Sequence, residues 1–424
     1  MADQLKLPSR PVVVLDDDPT GTQTVADVPV LLTWDDESLR EESQRSPCWF
    51  MLTNSRALPE PEAVALAGRI GDQIRGLGVD VAVVSRSDST LRGHFPAEVD
   101  ALGVDHDLTL LVPAFPDGGR ITVDSTHYLV QNGARRPVAE TEFARDPVFG
   151  YSSSYLPDWV EEKTGGRVLS SEVVRLLLDD IAAGRAPDVL ANAPVGATVV
   201  ADSVTDAHVE AVAAAVRIVE NAGRRVLART AASFARARMG VRRSDLLDPM
   251  VTVDGPGGLV VVGSHVATST EQLERLLLLE GVVNIEVDVM EALSGRIDTG
   301  AIADQIDALL EAGSVAVLST SRALVSGSLD TAKAVSGCIS AIVRGVGVRP
   351  GFLVSKGGIT SSDVATTGLG GRRAIVMGQV QPGVAVWRHD VSSRHPGLVQ
   401  VVYPGNVGGP GDLAALVRAL MGCA

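Results

Sequence analysis

A chain of 424 residues exceeds what one ordinary hydrophobic core supports, at roughly 150 residues per domain, so two domains are expected and three at most. With 45% hydrophobic and 21% charged residues it can bury a substantial core, which excludes a disordered or coiled-coil protein. The net charge of −15 argues against general affinity for nucleic-acid phosphates or an anionic membrane, so an anionic substrate must be caught by a local cluster of cations.

Short Val/Leu runs alternate with longer Ala/Leu/Arg stretches of helical period, the pattern of an α/β protein with mainly parallel sheets flanked by helices. Strands are predicted at Pro11 to Leu15, Trp49 to Thr53, Val81 to Ser85, Leu108 to Val112, Thr198 to Ala201 and Arg225 to Ala228. A second set follows at Leu259 to Val262, Val282 to Val287, Val315 to Ser319, Gly351 to Ser355 and Val399 to Tyr403. Helices are expected at Glu60 to Gly78, Ser171 to Ala183, Asp206 to Ala222, Thr270 to Leu279 and Thr299 to Ala312. The fourth of these has Ser269-Thr270 as capping residues ahead of Glu271-Gln272. Charges, Pro and four glycines break the pattern between Gly240 and Gly258, so 1–240 and 259–424 are expected to be domains joined by a linker at 241–258. The irregular stretch Pro113 to Gly166 is long enough to carry function or a small subdomain.

Cys48, Cys338 and Cys423 match no zinc or CxxC spacing and leave an odd thiol, which fits a reducing cytoplasm. No HExxH or paired-His spacing is present, so no structural zinc is expected. The first apolar run is too short for a secretory leader and no run approaches a spanning length, so a soluble protein is expected.

The chemistry concentrates at strand ends. Val12 to Leu15 delivers Asp16-Asp17-Asp18 and then Pro19-Thr20-Gly21-Thr22. Asp, Pro and Gly would serve a plain turn, but three adjacent acids repel and call for a cation, a metal or a polar ligand. Ser85-Arg86-Ser87-Asp88-Ser89-Thr90-Leu91-Arg92-Gly93-His94 follows another strand. Its guanidiniums, acid and hydroxyls suit a small polyhydroxylated anion, and equally a solvated loop held by an Arg–Asp pair. Pro113-Ala114-Phe115-Pro116-Asp117-Gly118-Gly119-Arg120 ends the next strand, where Gly-Gly permits close approach and Arg120 can meet an anion. Parallel strands would bring these loops to one sheet edge. His94, His127 and His265 lie near these loops and the glycine turns, where single histidines more often bond structurally than act as ligands or bases.

In the second half, Gly263-Ser264-His265 joins a strand to a helix, an arrangement that offers free amides to a phosphate, although mere capping uses the same residues. Ser355-Lys356-Gly357-Gly358-Ile359-Thr360 and Tyr403-Pro404-Gly405-Asn406-Val407-Gly408 are further glycine turns at strand ends. Together they would line a nucleotide pocket with backbone. No GxxxxGK[ST] is present and no GxGxxG follows the first strand, which excludes a P-loop enzyme and weighs against an ordinary dinucleotide fold.

In order and spacing, Asp17 to Gly21, Asp88 to Gly93, Pro113 to Arg120, Gly263-Ser264, Lys356 to Thr360 and Pro404 to Gly408 resemble the four-carbon acid sugar kinase family along nearly the whole chain. The resemblance implies a sugar-acid-binding N-terminal domain, a nucleotide-binding C-terminal domain, and an active site in the interdomain cleft that closes about the 240–258 segment. It implies that ATP, carrying Mg²⁺, phosphorylates a hydroxyl, expected to be the terminal one, of a threonate, erythronate or 3-oxo-tetronate type acid. Carried over by motif, Asp17 and Asp18 are the catalytic candidates. Thr20, Gly21, Arg86, Asp88, Ser89, Arg92, Gly93 and Arg120 would face the sugar acid, whose carboxylate would pair with Arg86 or Arg92. Ser264, Gly357, Gly358, Ile359, Thr360 and Gly405 would face ATP. A small-molecule partner is implied, a homodimer is compatible, and neither nucleic acid nor membrane is expected. The chain departs from the family at Thr22-Gln23-Thr24, where Ala and an acid commonly follow the glycine, and at Arg86, where many members carry Lys. A non-catalytic sugar-acid sensor and a sugar-acid dehydrogenase are the rival functions, the missing GxGxxG counting against the second.

Overall fold

The structure, a computed structural model, describes residues 10–131, 133–243, 245–322 and 329–422. Cys48 and Cys338 are free thiols, and Cys423 lies outside the described residues. In chain order the strands are β1 (Val12–Asp16), β2 (Val28–Leu31), β3 (Cys48–Leu52), β4 (Ala82–Arg86), β5 (Leu108–Val112), β6 (Arg120–Val123), β7 (Thr126–Gln131), β8 (Ala134–Pro137) and β9 (Val174–Leu176). They continue with β10 (Ala197–Ala201), β11 (Val226–Thr230), β12 (Gly258–Val262), β13 (Val282–Val287), β14 (Val315–Thr320), β15 (Phe352–Lys356), β16 (Arg373–Gln381), β17 (Val384–His389) and β18 (Val399–Tyr403). Two compact units result, one from residues 10–21 and 34–243, the other from 22–33 and the described residues after 244.

The main sheet of the first unit runs β3-β1-β4-β11-β5-β10-β9, with every pairing parallel. β1 (VVVLD) and β4 (AVVSR) are buried along their whole length, as a sheet covered on both faces requires. Helix Glu60–Arg75 illustrates the cover: Ala63, Ala67, Ile70 and Ile74 form one buried stripe, with acids in the first turn and Arg75 in the last to complement the dipole. Register then decides where the chemistry falls. Leu52, Asp16, Arg86, Thr230 and Val112 are neighbours in one row across β3, β1, β4, β11 and β5, so the loops after these strands all leave at one level.

The irregular stretch after β5 carries a second sheet, β6-β7-β8, entirely antiparallel. Its first turn, Asp124-Ser125, has both residues left-handed (φ 49° and 62°), the geometry a two-residue hairpin needs. The Asp202 carboxylate accepts both turn amides, at 2.9 and 2.8 Å.

In the second unit β13-β14-β12-β15-β18 are parallel, and β17, β16 and β2 extend the sheet antiparallel. Val260 and Val262 of β12 enter one apolar cluster while Leu259 and Val261 enter another, so this sheet too has a core on each face. Ser319, Val262, Lys356 and Tyr403 form the corresponding row of strand ends. Residues 22–33, expected in the first domain from chain continuity, belong to the second unit. β2 pairs with β16, placing Val28 opposite Val376 and Leu31 opposite Arg373, and the fully buried Trp387 donates from Nε1 to Thr22 Oγ1 at 2.9 Å.

The predicted strands fall within two residues of observed ones. The helix expected at 171–183 does not form as one piece. Residues 170–172 make a 3₁₀ turn, β9 joins β10, and a short helix follows at Leu178–Ala182, because pairing beside β10 competes with the helical period. Ser269 is not a cap either: the helix begins at Ala267, and Ser269 lies inside it with its hydroxyl donating to Gly405 O at 2.9 Å. Among the described residues no helix is long and apolar enough to cross a membrane.

Truncating Trp387 to Ala should cost about 3–5 kcal/mol from lost burial, whereas Trp387→Phe should cost about 1 kcal/mol from the lost hydrogen bond. Urea unfolding checks both, and an Ala variant as stable as the native chain would refute the packing described for 22–33.

Candidate active site

β1 presents its three carboxylates to different surroundings. Asp16 is fully buried and faces Arg86, its neighbour in register, with Arg86 Nη1 at 2.9 Å from Oδ1. Its other oxygen finds no donor, and burial pushes its carboxyl from the ordinary 3.8 up to about 7 despite the guanidinium. Asp17 is gripped at both oxygens: Arg56 Nη2 donates to Oδ1 at 2.7 Å, while Arg56 Nε and the Ser87 hydroxyl donate to Oδ2 at 3.2 and 2.9 Å. Asp18 is the more open one, its side chain 24% exposed. Oδ1 accepts the amide and hydroxyl of Thr20 at 2.8 and 2.6 Å, and Oδ2 stands 3.5 Å from Arg56. Burial would raise the Asp18 carboxyl, but Arg56, Arg86 and the Thr20 bonds outweigh it and hold it below the usual range. Gly21 closes this turn against the buried pair, since a Cβ there would lie 2.4 Å from both Asp16 oxygens.

The loop after β4 completes the cluster. Asp88 accepts from Arg92 Nε at 2.7 Å and lies 3.9 Å from Arg56; burial opposes its ionisation, but these two cations hold it well below the carboxylate range. Arg92 also sits 3.6 Å from Asp146 and stacks over Phe143 at 5.1 Å. Gly93 lies against Ser87 and Arg229, and Ser89 is fixed through its carbonyl, which meets His127 Nε2 at 2.8 Å. Arg120 differs from the other guanidiniums. It bonds only to the carbonyl of Gly118, its buried Nε has no acceptor, and it pairs with no carboxylate among the described residues. A shallow recess opens beside Asp88 and Arg92, with Phe95 and Trp159 in its apolar wall. His94 and His127 are structural: the first meets Leu58 O at 3.0 Å, and burial pushes the second down to about 4.

Arg86, expected to meet the substrate carboxylate, is instead occupied by Asp16 and Asp17 and is 7% exposed. Arg56 and Arg229 were not anticipated. Arg56 ties Asp17, Asp18 and Asp88 together from the end of β3, where Thr53-Asn54-Ser55-Arg56 carries the same strand-end signal as the other loops. Arg229, the one charge inside the buried VLART of β11, donates to Ser85 at 2.7 Å, Ser87 at 2.8 Å and Glu98 at 3.1 Å.

In the second unit the glycine turns meet. Gly263 packs on Thr360, Gly357 packs on Ser264 and Thr360, and a Cβ on Gly405 would stand 2.8 Å from Ser264 Oγ. Gly358 opens the short helix Gly358–Asp363, with Ile359 half exposed beside it. Arg322, also unanticipated, donates to the carbonyls of Val262 (3.2 Å), Ser264 (2.6 Å) and Thr320 (2.9 Å), while His265 Nε2 lies 3.2 Å from Thr320 Oγ1. This cradle is built of glycine backbone packed closely on the Ser264 and Thr360 side chains, a chemistry that suits phosphate groups. Among the described residues no group of three or more His, Cys, Asp or Glu is placed to hold a metal ion.

The models of a sugar-binding N-terminal domain and a nucleotide-binding C-terminal domain match residues 12–238 and 259–413, the domain pair of four-carbon acid sugar kinases. The chain belongs to the four-carbon acid sugar kinase family. Within it, the chain is similar to the D-threonate kinase of Bordetella bronchiseptica, 31% identical over 169 residues, a match that spans 39% of this chain and only 38% of that protein. Solved proteins of Salmonella typhimurium LT2 (TM-score 0.70, 17% identity, 97% of this chain and 98% of that one) and Haemophilus influenzae (TM-score 0.64, 18% identity, 96% and 100%) share the fold.

For this family member the buried Asp16 makes stability depend on pH. Its folded value lies above its unfolded one, so the folded chain keeps a proton that the unfolded chain releases between about pH 4 and pH 7. Stability relative to Asp16→Asn should therefore fall as pH rises through that window, by on the order of 1 kcal/mol per pH unit, and level off above it. Denaturant titrations of both proteins at several pH values measure the difference, and a flat difference would contradict the raised value.

Proposed function

We propose that this chain is an ATP-dependent kinase that phosphorylates a hydroxyl of a four-carbon sugar acid of the threonate, erythronate or 3-oxo-tetronate type. The observation that carries the proposal is the pairing, in one chain, of a carboxylate and guanidinium cluster on one row of strand ends with a glycine cradle on the equivalent row of the other unit. The family and the kinase relative support it.

Arg120, free of carboxylates, and Arg92 at the recess take the substrate carboxylate, with Asp88 and Ser89 available for hydroxyls. Asp18 orients the reacting hydroxyl. It is the least buried of the three acids and is kept ionised by Arg56, so it can accept the proton as the oxygen attacks the γ-phosphorus and the bond to the bridging oxygen of ADP breaks. Asp17 holds Arg56 and Ser87 in place. Thr20 and Gly21 shape the turn that presents Asp18. Ser264, Gly357, Gly358, Thr360 and Gly405 receive the phosphates, and Mg²⁺ carried on ATP supplies charge neutralisation when bound.

A coupled ADP assay against a panel of tetronates tests the activity; ATP consumption unchanged by every four-carbon acid would reject it. Asp18→Asn should lower turnover by about 10² to 10⁴ with nucleotide affinity retained. Asp17→Asn should in addition lose about 1–3 kcal/mol of stability, because the partly buried Arg56 loses its main partner and keeps only the longer contacts to Asp18 and Asp88. Equal melting of the two variants would reverse this division of roles. Arg120→Gln should raise the KM for the acid about 10- to 100-fold and leave that for ATP unchanged.

A further inference from the structure

Lys356 ends β15 in the row of strand ends and is fully buried, yet no carboxylate lies within ion-pair reach of it among the described residues. Its ammonium sits 4.2 Å over the Tyr403 ring and donates to the carbonyls of Pro404 at 2.6 Å and Gly405 at 3.2 Å. The Ser269 hydroxyl gives Gly405 O a second donor, at 2.9 Å. In a trans peptide the carbonyl and the amide N–H point in opposite directions. Carbonyls drawn toward Lys356 therefore turn the N–H groups of Gly405 and Asn406 the other way, and among the described residues nothing accepts a hydrogen bond from either. Gly405 is half-buried and Asn406 exposed, so both amides are available to a ligand.

We propose that Lys356 is a positioning residue, whose buried ammonium pins the 404–405 carbonyls so that the amides of Gly405 and Asn406 form a preset receptor for the phosphates of the nucleotide. The proposal rests on the reading of the second unit as the ATP-binding one. Successive amides held in one concavity make an anion site without any side-chain contact to the anion. The absence of a counter-ion gives the same lysine a second effect. Burial pushes the ammonium down to about 7, and a polyanion on the far side of the turn would offset that cost. Tyr403, whose ring lies against the ammonium, is itself held neutral by burial and so supplies no negative charge.

Calorimetric titration of the full chain with ATP and with adenosine provides the test. In Lys356→Met, ATP should bind about 10- to 100-fold more weakly while adenosine, which lacks phosphates, binds as in the native chain. Ser269→Ala, which removes only the second donor to Gly405 O, should weaken ATP by a smaller factor with the same indifference to adenosine, and it answers the question if Lys356→Met does not fold. Steady-state kinetics should place the effect in the KM for ATP and leave the KM for the sugar acid unchanged. ATP binding by either folded variant equal to that of the native chain overturns the proposal, as does an equal loss for ATP and adenosine, which would mark a purely structural role. A native chain that binds no ATP would instead remove the nucleotide reading itself and the proposal with it.

Discussion

Three consecutive carboxylates at the end of a buried strand form the constraint around which the first unit is organised. Adjacent acids cannot all ionise in a poorly solvated place without cations, and the cations cannot come from the same strand. Parallel register supplies them: Asp16 lies opposite Arg86 on β4, and the loop after β3 brings Arg56 to Asp17 and Asp18. Each neighbour solves the problem to a different degree. Asp16 is left with an unpartnered oxygen and a raised carboxyl, Asp17 is gripped on both sides, and Asp18 is ionised but open.

The same accounting separates the arginines that hold the site from those that can serve a ligand. Arg56, Arg86 and Arg229 are committed to internal carboxylates and hydroxyls, and their removal would expose buried charge. Arg120 has no such commitment. A cation lodged near Asp88 and Arg92, with no carboxylate partner among the described residues, is the group an incoming carboxylate can satisfy without displacing another acid.

The second unit handles negative charge by different means. Its strand-end row leads into glycine turns rather than acids, and cations donate to the carbonyls of those turns: Arg322 to Val262 and Ser264, and Lys356 to Pro404 and Gly405. Drawing carbonyls one way turns the paired amides the other, so an anion meeting these turns would find positive charge through peptide dipoles. Gly405 leaves room for the Ser264 hydroxyl, which would stand 2.8 Å from a Cβ at that position.

The central strands of both parallel sheets are legible in the sequence, because strands buried on both faces must be continuously apolar whatever their neighbours, and the acids and glycines at their ends stand out against that background; the half-exposed edge strand β9 instead falls inside an expected helix. Strand order and register were not legible, since nothing in VVVLD or AVVSR states that Asp16 and Arg86 will lie side by side, a pairing that engages Arg86 with internal carboxylates. The antiparallel strands β2, β16 and β17 escaped notice for a related reason: their stability comes from partners distant in the chain, so residues 22–33 joined a unit that chain continuity did not suggest. Residue types are local and can be read from the chain, whereas the use of each charge depends on which other charges the fold brings within a few ångströms, and only the tertiary structure decides that.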